Sequence, residues 1–289
     1  MNYLPGWLKQ EIPDDLARKT AGKISGLKLN TVCQQALCPN INDCFKRGQA
    51  AFLILGNSCT RHCGFCNVEN NPDLRPEVDP GEPGRIAQAV QVLGLRYAVI
   101  TSVTRDDLED GGAGQFVKVI ESIRSIDKEI KIEVLIPDFQ GDTEALKKVV
   151  RAAPFVLAHN LETVERLYGL VRPQASYRRS LALLAKSGKL AGGLTTKSSL
   201  MLGFGEGEAE VVSALKDLRA NDCDIVTLGQ YLAPSPRHYP VKEFISPEQF
   251  QKYSEIGRDL GFKGVLAGPK VRSSYHAEEL SEELGTVLG

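Results

Sequence analysis

The 289-residue chain lacks the features that would point to a membrane or to a strongly charged partner. It has no apolar run of about 18 residues, so no membrane span is predicted. Its net charge of −1 gives no global attraction to a polynucleotide, although it does not exclude a local basic patch. Hydrophobic residues make up 42% and charged residues 25% of the chain, which is enough to bury a sizeable core.

Targeting features are missing from the first residues, MNYLPGWLKQEIPDD. They contain neither the long apolar core nor the small-residue cleavage site of a secretory signal. They do contain acidic residues, which mitochondrial transit peptides largely avoid. We therefore expect a protein that works in a reducing cytoplasm.

Cysteine is almost absent from most of the chain, and its clustering is informative. Of the seven cysteines, six lie within the 34 residues from Cys33 to Cys66, and Cys223 alone follows them. In a secreted protein this clustering would suggest a disulfide knot. In a reducing compartment it indicates metal or iron–sulfur cluster binding.

Apolar runs rich in Val, Ile and Leu alternate with amphipathic segments after residue 50. The runs read as parallel strands buried on both faces, at residues 51–56, 97–103, 130–137, 154–159, 195–202 and 224–230. Strand–helix units of this kind predict either an open doubly wound sheet or a partial (β/α)6 TIM-like barrel. We favour the α/β partial barrel, because the motifs described below all follow strands and would meet at one mouth.

The two ends of the chain do not continue the six-unit pattern. We predict one domain, with an N-terminal extension at residues 1–50, the barrel at 51–261 and a C-terminal extension at 262–289. The last contains a seventh strand-like run, GVLAG, and then the motif RSSY. Both extensions are expected to cover the barrel mouth.

Cys59, Cys63 and Cys66 form the motif C-x3-C-x2-C directly after the first predicted strand. Three closely spaced thiolates in one loop can hold an iron–sulfur cluster and leave its fourth iron open to a ligand. The alternative is structural zinc, which needs four closed ligands and usually paired C-x2-C knuckles. Only one such pair is present, so a cluster is favoured. His62, inside the loop, fits a spacing role better than a ligand role.

This loop, with the aromatic Phe65 before its last cysteine, resembles the radical S-adenosylmethionine superfamily. The resemblance implies that the three cysteines ligate a [4Fe–4S] cluster whose open iron binds S-adenosylmethionine. One-electron cleavage of that cofactor gives methionine and a 5′-deoxyadenosyl radical. The role of the protein is then to position the radical and exclude competing reactions.

A second triad, Cys33, Cys38 and Cys44, lies upstream with the spacing C-x4-C-x5-C. These could be ordinary buried thiols, but three in twelve residues beside another triad favour a second cluster. A fourth ligand must come from elsewhere. Cys223 is one candidate, although its place at the start of a predicted strand is more typical of a small core residue.

Segments across the chain, from about residue 26 to 277, resemble the lipoyl synthase family. They are TVCQQALCPNINDCF, GNSCTRHCGFCNV, TSVTRDDLEDGGA (101–113), HNLETV (159–164), RPQASYRRSL (172–181), TTKSSLMLGFGE (195–206), TLGQYLAPSPRHYPV (227–241) and VRSSYHA. The resemblance implies a sulfurtransferase in which the upstream triad and a serine of RSSY, Ser273 or Ser274, hold an auxiliary [4Fe–4S] cluster. Ser274 is the favoured ligand.

The same resemblance implies the chemistry and the partners. Two molecules of S-adenosylmethionine activate C6 and then C8 of a protein-bound octanoyl chain, and the auxiliary cluster donates both sulfurs. A serine oxygen is a poorer match than thiolate to cluster iron, so it can leave as the cluster is dismantled. Expected partners are octanoylated lipoyl domains of 2-oxoacid dehydrogenases, the glycine-cleavage H protein, an electron donor such as flavodoxin or ferredoxin, and a cluster carrier. Neither nucleic acid nor a membrane is expected.

Polar residues and glycines at the ends of predicted strands are candidates for binding the cofactor. They are Thr104, Arg105, Asp106, Asn160, Glu162, Arg172, Lys197, Gly203 and Glu206. Glycine permits close backbone approach to a nucleoside, and Arg172 suits a carboxylate. Alternatively, Asp106 and Glu162 cap helices and Arg172 is a surface charge. His238, in a proline-rich loop, is a substrate contact or a surface residue.

Two other functions remain open at this point. One is a different radical sulfur-inserting enzyme, biotin-synthase-like or methylthiotransferase-like, whose auxiliary ligands are expected elsewhere in the chain. The other is a two-cluster electron carrier, which six clustered cysteines serve poorly, because two fully ligated clusters need about eight thiolates.

Overall fold

Eight strands form one sheet in chain order in the computed structural model, which describes residues 4–9 and 12–280. They are β1 (Asn30–Thr31), β2 (Ala51–Ile54), β3 (Tyr97–Ser102), β4 (Lys131–Leu135), β5 (Val156–Ala158), β6 (Thr195–Leu202), β7 (Ile225–Gln230) and β8 (Gly264–Gly268). The short β1 pairs antiparallel with β2, and β2 to β8 are all parallel. The six predicted strands are therefore confirmed, and the GVLAG run adds β8 to the same sheet.

Ten α-helices lie between or before these strands in the described part of the chain. They are α1 (Asp15–Gly26), α2 (Val32–Gln35), α3 (Ile41–Lys46), α4 (Glu82–Leu93), α5 (Ala113–Ile126), α6 (Thr143–Arg151), α7 (Tyr168–Val171), α8 (Tyr177–Leu190), α9 (Glu208–Ala220) and α10 (Pro247–Asp259). Side-chain caps fix several starts: Asp142, Ser176 and Ser246 each accept a backbone N–H from the first turn of α6, α8 and α10.

The predicted partial barrel is confirmed. Strand order follows chain order without the reversal that marks a doubly wound sheet. Within the described residues β1 and β8 are the two edges, and no pairing joins them. The sheet is thus an open partial barrel, and the carboxyl ends of the parallel strands β2 to β8 lie on one side of it.

The N-terminal extension shares its core with the barrel. Ile24 of α1 and Phe45 of α3 belong to the same buried apolar cluster as Phe52 of β2 and Ile100 of β3. Burying these side chains against the first strands fixes the segment that carries the upstream cysteines. The end of the C-terminal extension, residues 281–289, lies outside the described residues.

In residues 4–9 and 12–280, no helix combines the length and apolarity needed to cross a bilayer.

Candidate active site

The loop that follows β2 carries Cys59, Cys63 and Cys66, and neighbouring loops fix its path. The Cys59 amide donates to the carbonyl of Glu69 at 2.7 Å. Gly64 is held on both sides, since its amide donates to the Val171 carbonyl and its carbonyl accepts from the Tyr239 amide, each at 2.8 Å. The three thiols are close enough to interact electrostatically. One loop thus presents three cysteines together.

A buried network of ion pairs holds the same loop in place. Arg61, whose side chain is only 5% exposed, donates to Asp106 at 2.7 and 2.9 Å and to Asp138 at 2.6 Å. Asp138 is fully buried and also accepts from Arg179 at 2.8 Å. Burial would raise the pKa of Asp138, but the hydrogen bonds and charges of both arginines outweigh it and lower that pKa. The network therefore stays ionised and fixes the loop to β3 and β4.

Burial raises the pKa of the Cys66 thiol to about 12 and also raises the pKa of Cys63. Without a cation these thiols are protonated, and bound iron would stabilise them as thiolates. In the described part of the chain no three His, Cys, Asp or Glu side chains converge on a single-ion site. Three thiols around one loop fit a cluster, in which each binds a different iron.

Three of the nine cofactor candidates meet beside this loop: Asn160, Glu162 and Arg172. One terminal nitrogen of Arg172 donates to the Asn160 carbonyl at 3.0 Å and to the Tyr168 hydroxyl at 3.1 Å. Its Nε is buried without a hydrogen-bond partner among the described residues. The guanidinium also faces the charges of Glu162 and Cys63. A buried cation with a free donor beside the cysteines fits the carboxylate of an amino-acid cofactor.

Glu162 completes this polar group from the loop after β5. Its backbone adopts a left-handed φ of 68°, which is uncommon for a residue with a side chain. Burial raises the pKa of its carboxyl, while Arg172 and a hydrogen bond from the Asn160 side chain act in the opposite direction. Strained backbone of this kind often occurs at functional sites, and here it brings an acidic acceptor close to Cys63 and Cys66.

Thr104 and Asp106 brace the cysteine loop. The amide and the hydroxyl of Thr60 both donate to the Thr104 carbonyl, at 2.9 and 3.0 Å. The Asp106 amide donates to the Thr60 hydroxyl at 3.1 Å, and its carboxylate binds Arg61. Their hydrogen bonds point to a role in positioning the loop.

The Arg105 guanidinium is hydrogen-bonded to other groups of the protein. Its side chain is 4% exposed and donates to the Asp107 carboxylate and to the carbonyls of Leu55 and Pro76. These bonds account for its burial, so the geometry gives no support to the predicted cofactor contact.

Lys197 is also paired inside the protein. Its ammonium lies 2.9 Å from both carboxylate oxygens of Glu133, and both side chains are 1% exposed. The Tyr97 hydroxyl donates to the same carboxylate at 2.7 Å. This buried group spans β3, β4 and β6, and the predicted cofactor contact of Lys197 has no support in the geometry.

Gly203 and Glu206 shape the loop after β6. Gly203 has a φ of +108°, and a side chain there would overlap Gln230 and approach the Glu243 carbonyl oxygen to 2.5 Å. The Glu206 carboxylate accepts the amides of Gly203 and Phe204 at 2.6 and 2.9 Å. Packing within the protein therefore requires glycine at position 203, whether or not a cofactor binds beside it.

The upstream triad lies on α2, on α3 and in the turn between them. The Cys44 thiol interacts electrostatically with Cys33 and Cys38, and burial raises the pKa of Cys33 and of Cys44 to about 12. A small cavity brings Cys33 and Cys44 together with Ser274. The neighbouring serine is engaged elsewhere, since the Ser273 hydroxyl donates to the Asn160 side chain at 2.9 Å.

The cysteine-bearing segment and the C-terminal segment are held together directly. The Asn40 side chain donates to the Lys270 carbonyl, and the Tyr275 hydroxyl donates to Asp43 at 3.0 Å. Arg47 adds contacts further along the C-terminal segment, to His276 and Glu279. Residues more than two hundred positions apart in sequence thus form one wall beside the second triad.

Arg272 interacts electrostatically with a group at each cysteine site. Burial lowers the pKa of its guanidinium, while the charges of Cys38 and Glu162 act in the opposite direction. It therefore faces one group from each cysteine site. A second link is the Asn67 side chain, which donates to the Gln35 carbonyl at 3.0 Å and so joins the two cysteine segments.

Several of these residues were not identified from the sequence. Arg61 carried a signal, since it is a charge enclosed by two cysteines, and Arg272 is the first residue of the RSSY motif, but Asp138 carried none. His238 contacts the Cys66 carbonyl at 3.2 Å, which places it at the cysteine loop. Cys223 is fully buried and donates to the Ile225 carbonyl, as a small core residue does.

An open parallel barrel with a C-x3-C-x2-C loop after its first parallel strand defines the class of radical S-adenosylmethionine enzymes. The family model described as the radical SAM superfamily matches residues 53–218. Methylornithine synthase is similar in structure, with a TM-score of 0.56 and 14% identity over 97% of this chain and 90% of that one. An [FeFe]-hydrogenase maturase from Carboxydothermus hydrogenoformans is also similar in structure, with a TM-score of 0.59 and 17% identity over 81% of this chain and 55% of that one. At such identities the likeness shows the fold alone.

Curated relatives narrow the class. Proteins named lipoyl synthase from Caldicellulosiruptor saccharolyticus and Caldanaerobacter subterraneus subsp. tengcongensis are 52% and 51% identical to this chain. The alignments cover 96% of this chain and 97% of the first relative, and 95% of this chain and 95% of the second. The chain belongs to the lipoyl synthase family of the radical SAM superfamily. Membership implies a [4Fe–4S] cluster and S-adenosylmethionine as cofactors.

Proposed function

We propose that this enzyme inserts two sulfur atoms, at C6 and C8, into an octanoyl chain carried on a lysine of another protein, giving a lipoyl group. One observation carries the proposal: one cysteine triad lies in the loop after β2, a second lies in the N-terminal extension, and Ser274 shares a cavity with Cys33 and Cys44 of the second. A single triad would account for radical formation alone. The second triad with a serine supplies a sulfur source that a generic radical enzyme does not need.

Cys59, Cys63 and Cys66 hold the radical-generating cluster in this proposal. With a [4Fe–4S] cluster and S-adenosylmethionine bound there, the site would supply the 5′-deoxyadenosyl radical that removes hydrogen from the octanoyl chain. Arg61 keeps the loop in place through Asp106 and Asp138. Arg172 offers its unpartnered Nε to the cofactor carboxylate, and Glu162 offers an acceptor to the donor groups of the cofactor.

Cys33, Cys38, Cys44 and Ser274 hold the auxiliary [4Fe–4S] cluster, which is a substrate because it gives up sulfur. The choice of Ser274 over Ser273 is supported by its place in the cavity with Cys33 and Cys44, whereas the Ser273 hydroxyl is bonded to Asn160. An alkoxide oxygen is a harder ligand than thiolate and dissociates more readily from cluster iron. Its departure frees one iron at the start of sulfur release.

The protein substrates in this proposal are octanoylated lipoyl-carrier proteins, namely lipoyl domains of 2-oxoacid dehydrogenases and the glycine-cleavage H protein. A flavodoxin or ferredoxin supplies electrons, and a cluster carrier rebuilds the auxiliary site. The whole chain works as one domain, in which the barrel predicted at 51–261 extends to Gly268 because β8 belongs to the sheet. A cytoplasmic location remains a prediction.

The test is anaerobic turnover of the reconstituted enzyme. Reconstitution is expected to give about eight irons per chain, for two [4Fe–4S] clusters. With reductant and S-adenosylmethionine, an octanoyl-lysine peptide is expected to become lipoyl-lysine. Cys59→Ala removes a radical-cluster ligand and should abolish both cofactor cleavage and product. Cys223→Ala is the matched control, because it also deletes a cysteine but leaves both triads intact.

Each alternative gives a different result in this assay. Formation of 5′-deoxyadenosine without sulfur in the peptide would contradict the proposal and favour another radical enzyme. Reversible redox of both clusters without cofactor cleavage would favour an electron carrier.

A further inference from the structure

The segment that carries Ser274 has no helix or strand of its own. Residues 270–275, here called the serine segment, consist of turns and irregular backbone after β8. Backbone of this kind has few internal hydrogen bonds, so its position depends on what it contacts. On one side, Asn40 and Asp43 bind Lys270 and Tyr275. On the other side the contacts come from the barrel.

Gly229, in β7, provides the first barrel contact. A side chain at this position would overlap the Val271 carbonyl oxygen and lie 2.8 Å from its carbonyl carbon and 3.2 Å from Nη1 of Arg272. All three nearest atoms belong to the serine segment. Gly229 has no positive φ, so its own backbone does not require glycine. The glycine is needed because the segment passes directly over it.

Gly268 gives a contrast within the same sheet. It pairs with Gly229 across β7 and β8. A side chain there would meet only a methyl group of Val271, at 3.4 Å, which is an ordinary van der Waals distance. Two glycines that face each other in register therefore differ in what they allow: Gly229 alone makes room for the backbone of the serine segment.

Asn160, in the loop after β5, provides the second barrel contact. Its side-chain oxygen accepts the Ser273 hydroxyl at 2.9 Å, next to Ser274 in the chain. Its side-chain NH2 group donates to the Glu162 carboxylate, and its backbone carbonyl accepts a hydrogen bond from Arg172. A single amide side chain thus connects the serine segment to the polar group beside the radical-site cysteines.

We propose that Gly229 and Asn160 are positioning residues that seat the serine segment on the barrel, so that Ser274 reaches the auxiliary triad. The inference rests on the proposed function, because Ser274 matters only if it ligates the sulfur-donating cluster. Neither residue touches the reacting atoms in this scheme. Both act through the backbone position of residues 271–273.

Gly229→Ala tests the first contact, and Gly268→Ala is its matched control. Each adds one methyl group to a glycine of the same strand pair. Gly229→Ala is expected to displace the serine segment, so iron should fall from about eight to about seven or fewer per chain as the auxiliary cluster loses its fourth protein ligand. Its Mössbauer spectrum should lose the oxygen-ligated iron site, while cofactor cleavage continues. Gly268→Ala should match the unsubstituted enzyme in all three measurements.

Ser273→Ala tests the second contact without adding any atoms. It therefore tests the positioning inference even if Gly229→Ala does not fold. Losing one hydrogen bond of ordinary strength should lower the ratio of lipoyl product to 5′-deoxyadenosine by about fivefold. Ser273→Thr keeps the hydroxyl donor and should restore the ratio. Asn160→Ala should lower it at least as much as Ser273→Ala.

The outcomes distinguish failure of this inference from failure of the proposed function. If the unsubstituted enzyme makes no lipoyl product, the proposed function fails. If it makes product, and Gly229→Ala and Ser273→Ala keep its product ratio and its Mössbauer spectrum, the inference alone fails. The inference is also overturned if Gly268→Ala loses the auxiliary iron as Gly229→Ala does, because the effect would then belong to the sheet and not to the segment.

Discussion

His159, at the carboxyl end of β5, is held as a neutral imidazole inside the protein. It is 2% exposed, its Nδ1 donates to the Ile136 carbonyl at 2.9 Å, and its Nε2 accepts from the Ser180 hydroxyl at 2.9 Å. Burial, together with the nearby charge of Arg172, lowers the pKa of His159 from 6.5 to about 4. Below pH 6.5 the unfolded chain protonates this histidine while the folded chain does not.

Because the unfolded state then binds more protons, stability falls as the pH drops from about 6.5 towards 4 and levels off below that. One pKa unit corresponds to about 1.4 kcal/mol, so the full effect is about 3 kcal/mol. Between pH 7.5 and pH 5 the His159 contribution is about 2 kcal/mol, which for a chain of this size lowers the unfolding midpoint by about 5 °C.

The assay is thermal unfolding followed by circular dichroism under anaerobic conditions, at fixed ionic strength from pH 7.5 to pH 5. His159→Gln is compared with the unsubstituted protein, because glutamine can donate and accept but does not titrate. Its midpoint should be lower at pH 7.5 yet fall about 5 °C less on acidification. All other titrating groups are common to both proteins, so their contributions cancel in the difference between the two pH dependences. Equal pH dependence in the two proteins would refute the reasoning.

Three further predictions follow from particular contacts. Asp138→Asn removes a buried carboxylate that binds both Arg61 and Arg179, leaves Arg61 with Asp106 alone, and should cost about 3 kcal/mol in urea unfolding, with faster loss of iron to a chelator; an unchanged midpoint would contradict the ion network. Gly203→Ala must accommodate a side chain against Gln230 and should cost about 2 kcal/mol, whereas a role confined to the cofactor would raise the KM for S-adenosylmethionine and leave unfolding unchanged. Ser274→Ala should retain cofactor cleavage but lose most sulfur transfer, and lipoyl formation at the unsubstituted rate would return attention to Ser273.

Much of the fold could be predicted because parallel strands buried on both faces are continuous apolar runs. The run at 195–202 matches β6 to the residue. The run at 154–159 forms only the three residues of β5 (Val156–Ala158), since Pro154 has no amide hydrogen to donate to a ladder. The sequence places the GVLAG run in the C-terminal extension, whereas its membership of the sheet as β8 depends on pairing with β7, which is not a local property.

The candidate site was predictable only where its chemistry is local. Both cysteine triads stand out by spacing alone. The partner of Arg61, Asp138, lies 77 residues away, and no pattern near either residue connects them. The sequence predicts Lys197 as a cofactor contact, but its Glu133 partner on β4 makes it part of an internal ion pair. Contacts between distant segments, such as Gly229 with Val271, require the folded chain.

The most direct test of the account is the fate of sulfur during one turnover. Enzyme reconstituted with sulfide carrying a heavy sulfur isotope is incubated anaerobically with an octanoyl-lysine peptide, reductant and S-adenosylmethionine, and the peptide mass is measured. If the cluster at Cys33, Cys38, Cys44 and Ser274 is the sulfur donor, the peptide should gain two heavy sulfur atoms. A peptide that keeps its octanoyl mass while 5′-deoxyadenosine accumulates, or one that gains only unlabelled sulfur, would contradict that claim.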